Sequence, residues 1–288
     1  MSTVDEMIEL VVKFQSDYGF YPAFKERDEE IQTLEEKLAR KLHRAQVGLE
    51  TAFIQELRRR GVMPSRRSQQ EAIIDLILNA PFEQMSEYIT ERAIEAATIG
   101  RQLTINDLAL QGVSASFTAF SQFVLNRLKE RVYTFSQDTF SRIKGDFAKT
   151  LSEAYEEGLG IEEAARRLRA DFKNLRDHRL RKIARTEIQG AQNEGINETM
   201  IDYDVQYKQW ITVKDLRVRG RDPSDRFDHV SLHGEVVAFG EEFSNGAKHP
   251  LDRSGPIGDW IQCRCIMRPY IPGRNETILT TPYYPSAA

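Results

Sequence analysis

The sequence predicts an α+β protein whose N-terminal two-thirds is elongated and mostly helical and whose C-terminal part is a small β-rich domain. Before Asp204, long segments carry apolar residues three or four positions apart, the spacing of one helix face. After Asp204, short runs of β-forming residues alternate with loops rich in Gly, Pro, Asn and Asp. The 288 residues, 40% of them hydrophobic, suffice for two domains with a core.

The first long helix is predicted from about residue 25 to residue 60, where Gly61 and Pro64 end it. One apolar stripe runs along it and consists of Ile31, Leu34, Leu38, Leu42, Ala45, Leu49, Phe53 and Leu57. We expect so long a stripe to find too little partner surface in its own chain. It is therefore predicted to be an interface with another chain.

Further helices are predicted over residues 68–77, 82–99 and about 116–158, with breaks at Pro81, Gly100 and Gly158. A Gly-containing turn then leads into a helix that starts at about Ile161, and "RKIARTEIQGAQNEGINETM" closes the helical part. Helices of this length predict an elongated assembly that another chain partly stabilises.

Three strands are predicted within "VQYKQWITV", "GEVVAFG" and "CRCIMRPYI". The chain is accordingly divided into a helical extension for assembly (1–115), a long-helix region (116–203) and a small β-rich domain with a C-terminal tail (204–288).

Composition narrows the function classes. The net charge of −4 argues against a dedicated nucleic-acid binder. No stretch approaches the roughly 18 apolar residues of a membrane span, so no membrane contact is expected. The start, "MSTVDEMIELVVKFQ", lacks the basic region of a signal peptide. Two cysteines one residue apart form no disulfide framework, so a cytosolic or particle-borne protein is expected.

A basic run extends from residue 166 to residue 185, with nine basic residues against two acidic ones. On one helix face these side chains could hold phosphates or an acidic partner. An ordinary solvated helix face is the competing interpretation. The candidates for nucleic-acid contact are Arg166, Arg167, Arg169, Lys173, Arg176, Arg179, Arg181 and Lys182.

The two cysteines are candidate metal ligands. In an extended strand Cys263 and Cys265 would face the same side, and His229 and His233 are four residues apart. Together they supply the Cys and His ligands that zinc prefers, with Asp215 as a possible substitute. The alternatives are two small residues in the core of the sheet and a redox pair. A disulfide across so short a loop would be strained.

Charged residues on either side of Asp204 could form a network. Asp215, Arg217 and Arg219 alternate in "KDLRVRG", and Arg185 and Glu187 lie on the preceding helix. Guanidinium groups pair with carboxylates in bidentate fashion, so these residues are predicted to clamp the helix to the β-rich domain. A catalytic role is the alternative.

The order of these motifs resembles the phage head morphogenesis family, also called phage Mu F-like minor head proteins. "IARTE" on a helix is followed by W-x-x-x-x-D-x-R-x-R, a His, a strand that begins with Gly, and "CRC", over about residues 120–272. The matching positions are Arg185, Thr186, Glu187, Asn193, Trp210, Asp215, Arg217, Arg219, His229, Gly234, Cys263, Arg264 and Cys265.

The resemblance implies a minor structural protein of a tailed-phage head that takes part in procapsid assembly near the portal vertex and is not an enzyme. It implies the portal protein, the major head protein or other copies of this chain as partners, with weak contact to DNA during packaging or ejection. The expected location is the virion, and the host cytoplasm during assembly. The alternative function is a nuclease or transferase centred on His229, Asp215 and the CRC strand.

Overall fold

The computed structural model describes residues 22–212 and 218–274, apart from the side chains of residues 22–28, 78–83, 135, 140 and 172–178. Within these residues, four long helices precede a small sheet, which confirms the predicted mostly helical α+β fold. The helices are α1 (Pro22–Arg60), α2 (Arg67–Leu110), α3 (Gln122–Glu156) and α4 (Ile161–Asp202). They are followed by β1 (Tyr207–Ile211), β2 (Val236–Ala238), the one-turn helix α5 (Ile257–Trp260) and β3 (Ile266–Tyr270). Each of these helices is too short or too polar to cross a bilayer.

Local capping sets several helix ends. Gly61 follows α1 with φ of +71°, and Gly158 follows α3 with φ of +70°, a conformation that costs glycine little. The hydroxyl of Ser121 caps the start of α3 by accepting a hydrogen bond from the amide of Val124 at 3.3 Å. The helix predicted to begin at about Ile161 does begin there.

The predicted breaks at Pro81 and Gly100 are wrong, because α2 continues through both residues. At Gly100 the reason is packing against α4. A Cβ atom there would collide with the carbonyl oxygen of Gln192, and one at Gly195 would collide with that of Ala97. The two glycines therefore allow two backbones to approach closely and do not end a helix. At Pro81, buried residues before and after the proline hold the helix in place, and tertiary packing outweighs local propensity.

The chain forms two compact units from non-contiguous segments. The helical unit comprises Glu35–Ile94 and Phe120–Glu187. The sheet unit comprises the described parts of Met1–Leu34, Glu95–Ala119 and Ile188–Ala288. Helices α1, α2 and α4 each contribute residues to both units. The division at residues 115 and 203 stays a prediction.

From Leu38 to Leu57, the apolar stripe of α1 lies in the core of the helical unit. Leu38, Leu49, Phe53 and Leu57 are at most 3% exposed, and the ring of Phe53 packs on that of Phe147 in α3 with 5.0 Å between centroids. The expectation that this stripe is an exposed interface is therefore wrong, because the other helices of the same unit cover it. Residues from α2, α3 and α4, including Ile89, approach the same stripe.

The sheet unit contains an antiparallel sheet in the order β2-β1-β3. Tyr207 in β1 pairs with Ala238 in β2 and with Tyr270 in β3. One apolar cluster joins helix residues to β3, as Met200 and Met267 exemplify. A second cluster consists of Trp210, Leu232, Phe243, Ala247, Leu251, Cys263 and Cys265. This second cluster encloses the candidate functional site.

Candidate metal centre

Both cysteines lie just before β3, which begins at Ile266, so the strand predicted over "CRC" starts too early. Cys263 and Cys265 are nevertheless both buried at 2% exposure, whereas Arg264 between them is partly exposed. The two thiols therefore face the interior together, as predicted. Gln262 adopts φ of +60° immediately before them, an uncommon conformation for a residue other than glycine.

His229 brings an imidazole to the two thiols. Its Nδ1 lies 3.4 Å from Sγ of Cys263 and 3.6 Å from Sγ of Cys265. All three ligand atoms lie within 4.8 Å of one another, and all three residues are buried. The backbone holds the histidine in place, since its amide donates to the carbonyl of Arg219 at 2.9 Å and its carbonyl accepts from the hydroxyl of Thr212 at 2.7 Å.

A carboxylate lies behind the histidine. Nε2 of His229 is 2.7 Å from Oδ1 of Asp259, which lies in α5. The other carboxylate oxygen accepts from the amide of Asn245 at 3.2 Å. An acid in this position keeps a proton on Nε2 and leaves the Nδ1 lone pair directed at the sulfurs.

The three groups perturb one another's protonation. Burial raises the pKa of the Cys263 thiol well above its ordinary value, and the neighbouring Cys265 raises it further. Burial also acts to raise the pKa of Cys265, but hydrogen bonds from Cys263 and His229 outweigh it, so that pKa falls. Burial acts to lower the pKa of His229, but Cys265 and Asp259 raise it overall. The pKa values of the two thiols are shifted in opposite directions because each is the other's hydrogen-bond partner.

The other predicted ligands are placed differently. His233 lies outside this cluster, and its Nδ1 accepts a hydrogen bond from the amide of Thr212 at 3.1 Å. Asp215 lies outside the described residues. Within the described residues, the group close enough to share one ion consists of His229, Cys263 and Cys265.

The described members of the predicted charge network have separate partners. Arg185 binds Glu35 within the helical unit, with 3.1 Å between Nε and the carboxylate. Arg219 donates to the carbonyl oxygen of Ile261 within the sheet unit. Glu187 is buried at 1% exposure. Asp215 and Arg217 lie outside the described residues, so the clamp stays a prediction.

Some residues of the basic run form ion pairs inside the helical unit. Arg167 pairs with Glu153 at 3.1 Å and with Glu157, and Arg179 pairs with Asp146. The exposed basic side chains of the run include Arg166, Arg169 and Arg181, whereas Lys182 is partly buried. The side chains of Lys173 and Arg176 lie outside the described residues.

The sequence indicated no role for Asp259 or Asn245, and it marked Asn193 only through the family resemblance. Asn193 in α4 is fully buried, and its amide donates to the carbonyl of Cys265 at 3.0 Å. Its side-chain oxygen accepts from the amide of Met267 at 3.3 Å. It therefore ties the helix to the segment that carries the cysteines. The family resemblance singles out Asn193 without indicating this contact, and no spacing motif marks Asp259 or Asn245.

These residues fall within a segment that matches a known family. Residues 145–268 match the family described as Phage Mu protein F like protein. The predicted resemblance is confirmed over this Mu F-like segment. The Mu F-like segment contains the whole His–Cys–Cys cluster together with Asp259 and Asn193. No curated protein and no solved structure matches the chain.

Proposed function

We propose that this protein is a minor structural component of a tailed-phage head that joins the procapsid at the portal vertex. The family match over residues 145–268 carries the proposal. The portal protein and the major head protein are the proposed partners, with assembly in the host cytoplasm and final location in the virion. Self-association through the long helices is a further proposal.

The burial of the candidate reactive groups favours a structural role over the nuclease or transferase alternative. His229, Cys263 and Cys265 are each 2% exposed and are packed among apolar residues such as Trp210. A catalytic group must reach substrate, and geometry is the first requirement. These three side chains offer a substrate almost no surface.

Particles assembled with and without the portal protein test the proposed location. The ratio of this chain to the major head protein, measured by quantitative mass spectrometry, should be low and constant in particles that contain the portal. Particles assembled without the portal should lack the chain and retain the normal amount of major head protein. An equal amount of this chain in portal-free particles would refute the portal location. Absence from both kinds of particle would refute the structural role.

Weak DNA contact is proposed for the exposed part of the basic run. Arg166, Arg169 and Arg181 are exposed on α4, and arginine–phosphate contacts release counterions. Replacing all three with Gln should weaken DNA binding by the full chain and flatten its dependence on salt concentration. The measurement is fluorescence anisotropy with a DNA duplex over a salt series.

A matched control removes the same charge elsewhere. Lys37, Arg40 and Arg44 are exposed on α1, and replacing them with Gln should leave DNA binding closer to the wild-type value. An equal loss of DNA affinity in both triple variants would mean that only the net charge of the chain affects DNA binding, and the proposed contact would be wrong.

A further inference from the structure

We propose that His229, Cys263 and Cys265 bind one zinc ion, with Asp259 as the residue that positions the histidine. The proposal is independent of the role in the phage head, since it rests on four side chains of the sheet unit and their distances.

The spacing of the three atoms suits a tetrahedral ion. Zn–S bonds of about 2.3 Å and Zn–N bonds of about 2.0–2.1 Å at tetrahedral angles place sulfur and nitrogen ligands about 3.6 Å apart. The two sulfur-to-Nδ1 distances at this site are 3.4 and 3.6 Å. Neither distance requires a movement of the chain for an ion to be bound by both sulfurs and the imidazole.

The donor set selects the class of metal. Two cysteine sulfurs and one imidazole are soft and borderline donors, whereas Mg²⁺ and Ca²⁺ prefer oxygen ligands. Iron–sulfur clusters generally require four cysteines, and this chain contains two. Zinc accepts mixed Cys and His ligands without a redox role, so it fits this set best.

The surroundings already contain the second layer of a metal site. Metal-bound histidines usually donate their remaining ring N–H to a carboxylate, and Nε2 of His229 lies 2.7 Å from Asp259. The side-chain amide of Asn245 in turn donates a hydrogen bond to Oδ2 of Asp259 at 3.2 Å. The amide of Cys265 points at Sγ of Cys263 at 3.4 Å, which is an orientation that stabilises negative charge on sulfur.

The place of the site in the fold indicates what the ion does. His229 belongs to the loop between β1 and β2, and the cysteines immediately precede β3. The longest strands of this sheet have five residues and β2 has three, so backbone pairing alone ties these loops together weakly. An ion shared by the two loops would fix the left-handed Gln262 turn and close the apolar cluster around Trp210. Its role is structural, and a fourth ligand beyond these three side chains completes the tetrahedron.

Metal content of the full chain is the first test. Protein purified without a histidine tag and without chelator should contain close to one zinc per chain by elemental analysis. Exchange with Co²⁺ should give a thiolate-to-cobalt charge-transfer band and the visible spectrum of a tetrahedral site. Zinc far below one per chain, together with no charge-transfer band after cobalt addition, would overturn the proposal without any variant.

Variants then test the ligand set. Cys263→Ser, Cys265→Ser and His229→Ala should each lower zinc content, whereas His233→Ala, the matched control, should retain it. Loss of zinc in His233→Ala, or its retention in Cys263→Ser, would show that the ligand set is wrong. If a ligand variant fails to fold, cobalt spectra of the wild-type chain still report whether thiolates bind the metal.

Asp259 has a test of its own. Asp259→Asn should weaken zinc affinity roughly 10–100-fold in competition with a chelator, because second-layer partners of this kind have effects of that size. The cobalt charge-transfer band should remain at saturating metal, and Asp259→Glu should restore part of the affinity. An unchanged affinity in Asp259→Asn would remove the positioning role.

Discussion

Asn193 shows how one side chain can join two elements. Its carboxamide bridges α4 and the segment from Cys265 to Met267, and it is 0% exposed. Any other side chain of similar size would leave the carbonyl of Cys265 or the amide of Met267 without this partner in a buried position. Buried backbone groups that lose their partner are costly because water cannot replace it.

Replacing Asn193 with Ala should therefore destabilise the protein by about 1–3 kcal/mol for each buried group that loses its partner. Urea denaturation followed by circular dichroism measures the change. Asn126→Ala is the control, since Asn126 is exposed on α3 and its side-chain oxygen accepts a hydrogen bond from Gln122 of the same helix. A similar loss of stability in the two variants would mean that the hydrogen bonds of Asn193 to Cys265 and Met267 contribute nothing beyond helix propensity.

Lys208 is an unusual buried cation in β1. It is 2% exposed, and its ammonium donates to the carbonyl of Lys248 at 2.7 Å and lies 5.2 Å from the centroid of the Phe243 ring. Burial, with a smaller contribution from the positive charge of Lys248, lowers the pKa of Lys208 below its ordinary 10.5. The folded protein therefore disfavours the charged form at this position relative to the unfolded chain.

The sign of the resulting pH dependence follows from proton counting. Between the folded pKa and 10.5, the unfolded chain binds more protons at Lys208 than the folded chain does, so stability from this group rises with pH. The free energy of unfolding of the wild type, relative to that of Lys208→Met, should therefore increase as pH approaches 10.5. Urea melts of both proteins over this range measure it, and a constant or falling difference would contradict the prediction.

At the scale of elements, the crossing of α2 and α4 depends on glycine. Gly100 and Gly195 lie where each helix meets the other's backbone carbonyls, those of Gln192 and Ala97. Glycine inside a helix ordinarily costs about 0.5–1 kcal/mol relative to alanine. Glycine is nevertheless needed at both positions, because a Cβ atom would prevent the two helix backbones from approaching so closely.

Two glycine-to-alanine substitutions should consequently change the free energy of unfolding in opposite directions. Gly195→Ala should destabilise the protein by about 1–3 kcal/mol, as overpacking usually does. Gly145→Ala on α3 should stabilise it by up to about 1 kcal/mol, because a Cβ there meets nothing within 4 Å. Thermal and urea denaturation provide the comparison. A stabilised Gly195→Ala protein would show that the two backbones can separate at little cost.

At the scale of the whole molecule, the two units are built from non-contiguous segments, and three of the four long helices contribute residues to both. The stripe of α1 from Leu38 to Leu57 belongs to the core of the helical unit. A charge introduced into it would therefore act on folding before it could act on any partner. Loss of incorporation into heads after such a change would not locate an interface.

Leu49→Asp should therefore lower the melting temperature markedly, since it places a carboxylate where the native side chain is 3% exposed. Val47→Asp on the same helix is the matched control, because Val47 is 37% exposed and surface substitutions usually change stability by less than about 0.5 kcal/mol. Differential scanning calorimetry measures both variants. An unaffected Leu49→Asp protein would restore the interpretation of the stripe as an external surface.

The sequence by itself determined the elements whose physics is local. Apolar spacing specified long helices, the alternation and turn residues after Asp204 specified short strands, and the ordered motifs predicted the family match over residues 145–268. It also placed His229, Cys263 and Cys265 among the candidate ligands, because residue chemistry is visible without coordinates. The single i, i+2 cysteine pair was enough to predict that both thiols face one side.

Only the tertiary structure decided which surfaces meet. Helix periodicity shows that α1 has an apolar face but not what covers it, and that partner proved to be the same chain. Gly100 looks like a helix end until a second backbone is placed against it. Asp259 contacts His229, 30 residues away in the chain, and Asn193 contacts Cys265, 72 residues away, and no local spacing encodes contacts of that kind. Side-chain type is a property of the sequence, whereas proximity is a property of the fold.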